Sequence, residues 1–155
     1  MFKLANERAL LRAFRPMDRK LVEVTRDVSL PLRVDDYLTW HFGRRVYLVF
    51  GTASGEPKGI VFQADGGDAG LPHMCEWCHS VAPGTRVGML AARRDRKRTI
   101  GILVCSDIGC RERMEDAADR AGADARPLVA KVLHRMEQFA NRLDFDSRED
   151  AERVD

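Results

Sequence analysis

Cys75-Glu76-Trp77-Cys78 and Cys105-Ser106-Asp107-Ile108-Gly109-Cys110 decide the fold of this chain, because they hold all four of its cysteines. A Cys-x-x-Cys step lets one tight turn present two thiolates to a single ion, and a structural zinc ion takes four such ligands in a tetrahedron. In the second segment the chain leaves an apolar run, turns, and enters a helical pattern. Gly109 is placed to give that turn its backbone freedom. Cys110 falls at a helix start, where the helix dipole favours a thiolate. A knuckle, a hairpin and a helix in this order make a treble-clef zinc finger over residues 73–121.

Other uses of four cysteines fit less well. A redox Cys-x-x-Cys opens a helix straight after a strand, whereas loop residues precede Cys75, and Cys105 and Cys110 would have no role. Buried free thiols are the plainest alternative, but they leave the pairing unexplained. A closed set of four thiolates offers no open coordination position, which argues against a catalytic metal. His73 and His79 flank the first pair and could replace a cysteine as ligand, but since four thiolates already suffice they read as surface groups or as neighbours of the ligands. His41, beside Trp40, reads as a packing residue, and His134 as solvated.

Working outward, residues 86–92 and 99–105 are strand-like and read as a hairpin whose tip is 93–98. Upstream, strands are expected at 45–52 and 59–63, joined by a glycine-rich loop over 51–59; a second loop covers 64–72. Residues 17–45 mix charge with Pro31 and accommodate a short helix over 34–41. A helix over 4–14 places Leu4, Leu10, Leu11 and Phe14 on one face and stops at Pro16. Downstream, helices are expected over 110–121 and 127–143. The second carries a stripe of Leu128, Val132, Met136, Phe139 and Leu143, widened by Val129, Leu133 and Ala140, with Pro127 at its first position. Residues 146–155 are charged, aperiodic and read as disordered. The fold class is α+β: a small antiparallel sheet, a treble-clef zinc finger and a long C-terminal helix. The division is a short N-terminal helix (1–16), an α/β domain (17–145) and the tail.

The 155 residues are the length of one domain, and the net charge is only +2. Nucleic-acid binding would therefore have to rest on a local patch. The start of the chain carries Lys3, Glu7, Arg8 and Arg12 and no signal-peptide pattern. Its apolar runs are far short of a membrane span. The expectation is a soluble cytoplasmic monomer in which cysteines bind metal and do not form disulfides.

Two features between the ligands could bind a partner. The tip holds Arg93, Arg94, Arg96, Lys97 and Arg98 with Asp95. It is either a solvated turn or a contact for an acidic protein face or RNA phosphate. Trp77 either packs on the finger's own hairpin or stands out as an aromatic anchor. No phosphate-binding glycine loop and no activated-nucleophile motif is present, so no enzymatic activity is expected.

The run Cys75-x-x-Cys78 followed by Gly101-Ile102-Leu103-Val104-Cys105-Ser106-Asp107-Ile108-x-Cys110 resembles the treble-clef domain of the elongation-factor-G-binding, fusidic-acid-resistance (FusB-type) proteins. Residues 14–31 and 36–40 are similar to the start of that domain, and the resemblance covers roughly 8–144. It implies a zinc-containing α/β domain that binds elongation factor G on the ribosome. Resistance members use this binding to promote release of the drug-trapped factor. They carry a larger helical region before the zinc domain, where this chain has one short helix. The resemblance further implies that Arg96 belongs to the factor-binding face and that Trp77 faces the partner with Glu76 at the rim. The expected function is a zinc-binding adaptor that modulates the turnover of elongation factor G, with or without fusidic acid resistance. The alternative is a ribosomal-RNA-binding zinc module.

Overall fold

The computed structural model describes residues 1–64, 71–83 and 86–143. Most of the loop expected at 64–72, and the tail at 146–155, lie outside the described residues. Phe2–Leu4 is a strand (β1), followed by the helix Glu7–Ala13 (α1). Asn6 caps α1 by accepting a hydrogen bond from Ala9 N at 2.9 Å, which satisfies one donor of the open first turn. The helix expected from residue 4 therefore starts later: Leu4 is spent on pairing β1 with Leu32–Val34 (β2), antiparallel.

The short helix expected over 34–41 is not formed. Tyr37–Phe42 is a strand (β3), in keeping with its aromatic and β-branched content. Alternation along it sends Trp40 into a core and leaves His41 exposed, so His41 is not a packing residue. Gly43, at φ +61°, turns the chain into Arg45–Gly51 (β4), which pairs with Pro57–Ala64 (β5). Pro72–Met74 (β6) and Val81–Pro83 (β7) form a small separate hairpin. Val87–Arg93 (β8) and Thr99–Cys105 (β9) are the predicted hairpin. The main sheet runs β3-β4-β5-β8-β9, antiparallel throughout.

Two helices close the chain, Cys110–Ala121 (α2) and Arg126–Asn141 (α3). Gly122 ends α2 in the left-handed conformation at φ +65°, its N–H reaching Ala118 O and Asp119 O. Pro127 occupies the second position of α3, since Ala125 is the N-cap; neither early position needs its N–H within the helix. The apolar stripe of α3 is core. Val132, Met136, Phe139, Ala140 and Leu143 pack on Leu48, Phe50, Ile60, Phe62, Leu90 and Ile102. Each large side chain fully buried there contributes about 1.5–3 kcal/mol.

The opposite face of the sheet is covered over β3 to β5 by the N-terminal segment, through Leu4, Leu10, Phe14, Trp40, Tyr47 and Val49. Phe14 lies so close to β5 that a Cβ on Gly59 would sit 2.8 Å from its ring. Over β8 and β9 this face is open: Arg93, Thr99 and Gly101 are exposed. Among the described residues no helix is long and apolar enough to cross a membrane.

Candidate metal centre

The β6–β7 hairpin carries Cys75 and Cys78 in its turn, β9 ends at Cys105, and α2 begins at Cys110. All four are buried, and their sulfurs lie within 4.8 Å of one another. Cys75 Sγ is 3.7 Å from Cys110 Sγ, and Cys78 Sγ is 3.5 Å from Cys105 Sγ. Four sulfurs at a Zn–S distance of ~2.3 Å in a tetrahedron stand roughly 3.8 Å apart. The donor set and its spacing fit one structural zinc ion. Mutual hydrogen bonding pushes the thiols of Cys75 (to about 7) and Cys78 down, and those of Cys105 and Cys110 up. Without a metal the four share protons; a bound cation takes the place of those protons.

Local hydrogen bonds shape each half. Cys75 Sγ accepts from Trp77 N and Cys78 N, both at 3.4 Å, which supports a thiolate. Cys75 N donates to Ser80 O and His79 N to Cys75 O, each at 2.8 Å. His79 closes this turn at φ +64° and is exposed. The knuckle also binds the sheet: Glu76 N donates to Leu103 O at 2.8 Å, and Leu103 N to Glu76 Oε2 at 3.2 Å.

In the second half the left-handed residue is Ile108, at φ +50°, and not Gly109, whose φ is −82°. A β-branched residue rarely adopts this conformation. Ile108 is held there by burial of its side chain and by Tyr37, whose hydroxyl donates to Ile108 O at 2.6 Å and accepts from Arg111 N at 2.9 Å. A Cβ at 109 would meet only Arg113 Nη1 at 2.5 Å and an Asp107 carboxylate oxygen at 2.9 Å, the mobile ends of two side chains that can move aside, so neither φ nor packing demands glycine at 109.

The residues between the ligands separate. Trp77 is 1 % exposed, with ring centroids 5.9 Å from Phe62 and 6.3 Å from Phe139. It is a core residue and not the surface anchor that one reading expected. The α3 stripe and the sheet already offer it an apolar slot, so burial wins. Its Nε1 has no hydrogen-bond partner among the described residues. Arg135 Nη1 ties the Trp77 carbonyl to α3 at 2.6 Å.

At the tip, Arg93, Arg96, Lys97 and Arg98 are exposed and Arg94 is half-buried. Asp95 organises the turn by accepting from Lys97 N and Arg98 N, both at 2.8 Å; these bonds hold its carboxyl below the usual range. The root of the hairpin is gripped by Arg15, a residue that sequence reasoning missed. Its buried guanidinium pairs with Asp18 at 2.9 Å and donates to the carbonyls of Arg93, Arg94 and Leu143. Those three carbonyls are 78, 79 and 128 residues away, so no local pattern marks Arg15.

Residues 8–145 match the family described as "FBP C-terminal treble-clef zinc-finger". The chain belongs to this family. Its finger is the cluster of Cys75, Cys78, Cys105 and Cys110, and its hairpin is β8–β9. Among solved structures the chain is similar to one titled "Structure of the fusidic acid resistance protein FusC", at 16% identity and a TM-score of 0.45. The likeness covers 70% of this chain and 52% of that one, so the chain spans about half the length of that relative. Comparison with curated proteins finds no match.

Proposed function

We propose that this treble-clef protein is a zinc-braced adaptor that binds elongation factor G and modulates its turnover on the ribosome. The observation that carries the reading is the basic tip, built on a hairpin whose far end supplies the zinc ligand Cys105. Four exposed cations project from a turn that Asp95 and the Arg15 clasp hold in one shape. Concentrated charge on a projecting, preorganised element speeds encounter with an acidic protein surface and costs little ordering on binding. Arg96 and its neighbours Arg93, Arg94, Lys97 and Arg98 are the proposed contacts; Trp77 supports them from within. The protein acts by binding and not by catalysis, since its metal has no open position, and it works in the cytoplasm, where translation runs. Release of a drug-trapped factor is the extension of the same binding event.

Calorimetry with purified elongation factor G tests this reading. Binding at micromolar concentration or tighter is expected, with at least tenfold weakening in an Arg96→Ala/Lys97→Ala variant of unchanged thermal stability. Absence of binding by the unmodified protein at that concentration sinks the proposal.

A further inference from the structure

A second surface lies on the open part of the sheet. The strand register sets Phe42 opposite Arg45, Arg45 opposite Gln63, Gln63 opposite Ala91 and Ala91 opposite Gly101. This is one row across all five strands, and residues directly opposite one another share a face. Their neighbours along the strands, Val46, Phe62, Ala92 and Ile102, belong to the α3 core. Side chains alternate along a strand, so the row faces away from α3. Arg93 and Thr99 pair one step further on, on the same strands.

The N-terminal segment ends against this row. Arg45 Nη1 donates to Leu21 O at 3.2 Å, and the Tyr47 hydroxyl to the same carbonyl at 2.7 Å. Beyond that step lies a groove of about 580 Å³, whose polar lining is Asp18, Arg44, Arg45, Gln63, Arg93 and Thr99. Among the described residues Asp18 is the only acid in it, and its buried carboxylate is taken by Arg15 at 2.9 Å. None of Arg44, Arg45 and Arg93 has a carboxylate partner among the described residues. Among the described residues the groove therefore carries more positive than negative charge, and Asp18 offsets part of it through Arg15 and Arg93. At the end of the row, Phe42 is 50% exposed, a large aromatic ring left in water.

Four strand spacings make the row about 19 Å long, which suits an extended polymer better than a single small anion. An acidic peptide would use the arginines but would have no use for a bare ring in register with them. Single-stranded RNA uses both, stacking bases on aromatic side chains and placing phosphates on arginine. A side-chain amide such as Gln63 can bond to a base edge.

We infer that this sheet face is a binding site for single-stranded RNA, with a base on Phe42 and phosphates on Arg44, Arg45 and Arg93. The site shares Arg93 with the factor-binding tip, but Phe42, Arg44 and Arg45 lie on other strands and turns, and the inference does not depend on that reading. Stacking by one aromatic side chain, worth about 1–3 kcal/mol, converts to roughly 5–150-fold in affinity.

Fluorescence anisotropy on the zinc-loaded full chain tests it, with a labelled oligouridylate of about twelve nucleotides and, in parallel, a labelled oligoglutamate. RNA binding at about 50 mM salt, falling steeply by about 200 mM, is the expected result. Phe42→Ala should weaken it at least fivefold. Arg44→Ala should flatten the salt dependence by about 0.7 in logarithmic slope. Both residues are exposed, so an unchanged thermal midpoint separates lost binding from lost folding, and Phe42→Tyr, which keeps a ring, should restore RNA affinity. No binding at the lower salt overturns the inference. So does binding indifferent to both substitutions, or oligoglutamate bound as tightly as RNA.

Discussion

Replacing Arg15 with methionine isolates the clasp at the root of the hairpin. Methionine keeps an unbranched apolar stem and removes every donor. The Asp18 carboxylate and the Leu143 carbonyl are buried and lose this donor, whereas the carbonyls of Arg93 and Arg94 are only partly buried and can turn to water. Removing one partner of a buried ion pair costs about 3–5 kcal/mol, against a total stability of about 5–15 kcal/mol for a domain. The variant should fold with a large fraction of its stability gone. Urea unfolding followed by tryptophan fluorescence reads this directly, since Trp40 and Trp77 are both buried. The loss should depend on pH in a defined direction. Burial already pushes the Asp18 carboxyl above its ordinary value, with Arg15 opposing; without the guanidinium it rises further. A carboxyl with a higher value in the folded state takes up its proton more readily there. The cost should therefore be smallest at acid pH, below the ordinary carboxylate range, and grow as pH rises through the folded value. Adding Asp18→Leu to Arg15→Met should return about 2 kcal/mol or more at neutral pH, because an apolar pair leaves no stranded charge. A loss below about 1 kcal/mol that is flat with pH and unrelieved by the second substitution would refute the clasp as a stabilising element.

Three further outcomes are expected. Chelation should remove one zinc per chain and abolish the near-ultraviolet circular dichroism of Trp77, as should acidification that protonates the thiolates; an unchanged spectrum in metal-free protein would contradict this. Gly59→Ala should cost about 1–3 kcal/mol by overpacking, because the buried Phe14 ring 2.8 Å from the new methyl has no room to yield; equal thermal midpoints would count against it. Tyr37→Phe should lose about 1–3 kcal/mol by leaving Ile108 O and Arg111 N unpartnered, and hydrogen exchange should quicken at the start of α2.

The parts legible in sequence are those whose cause is local. The ligand spacing around Cys75 and Cys105 constrains a few neighbouring residues, and the helical periods of 110–121 and of the Val132–Met136–Phe139 stripe report burial directly. The misreadings share a different origin. The segment containing Tyr37, Leu38 and Trp40 carries strand residues, but its partners are β4 and the distant N-terminal segment, and Pro31 with nearby charge obscured the alternation. Trp77 could not be placed from the knuckle alone, because the slot that holds it is built by Phe62 on the sheet and Phe139 on α3. Gly109 invited the usual assumption that glycine marks a positive φ; the conformation passed to Ile108, which its burial and the Tyr37 hydroxyl hold in place. Arg15 is the extreme case, an ordinary basic residue after a short helix whose role exists only once three remote carbonyls converge.

The two hydrogen bonds between Glu76 and Leu103 bear on more than the shape of the finger. β9 is an outer strand of the main sheet, and an outer strand is a template on which another chain can lay its own backbone. The knuckle takes both the N–H and the carbonyl of Leu103, midway along that strand, and so interrupts the row of free groups. The thiolates that hold the knuckle in place thereby also guard the protein against self-association. Metal loss in this molecule should show as aggregation through an uncovered β9 as well as a loosened finger, with light scattering rising in step with zinc release.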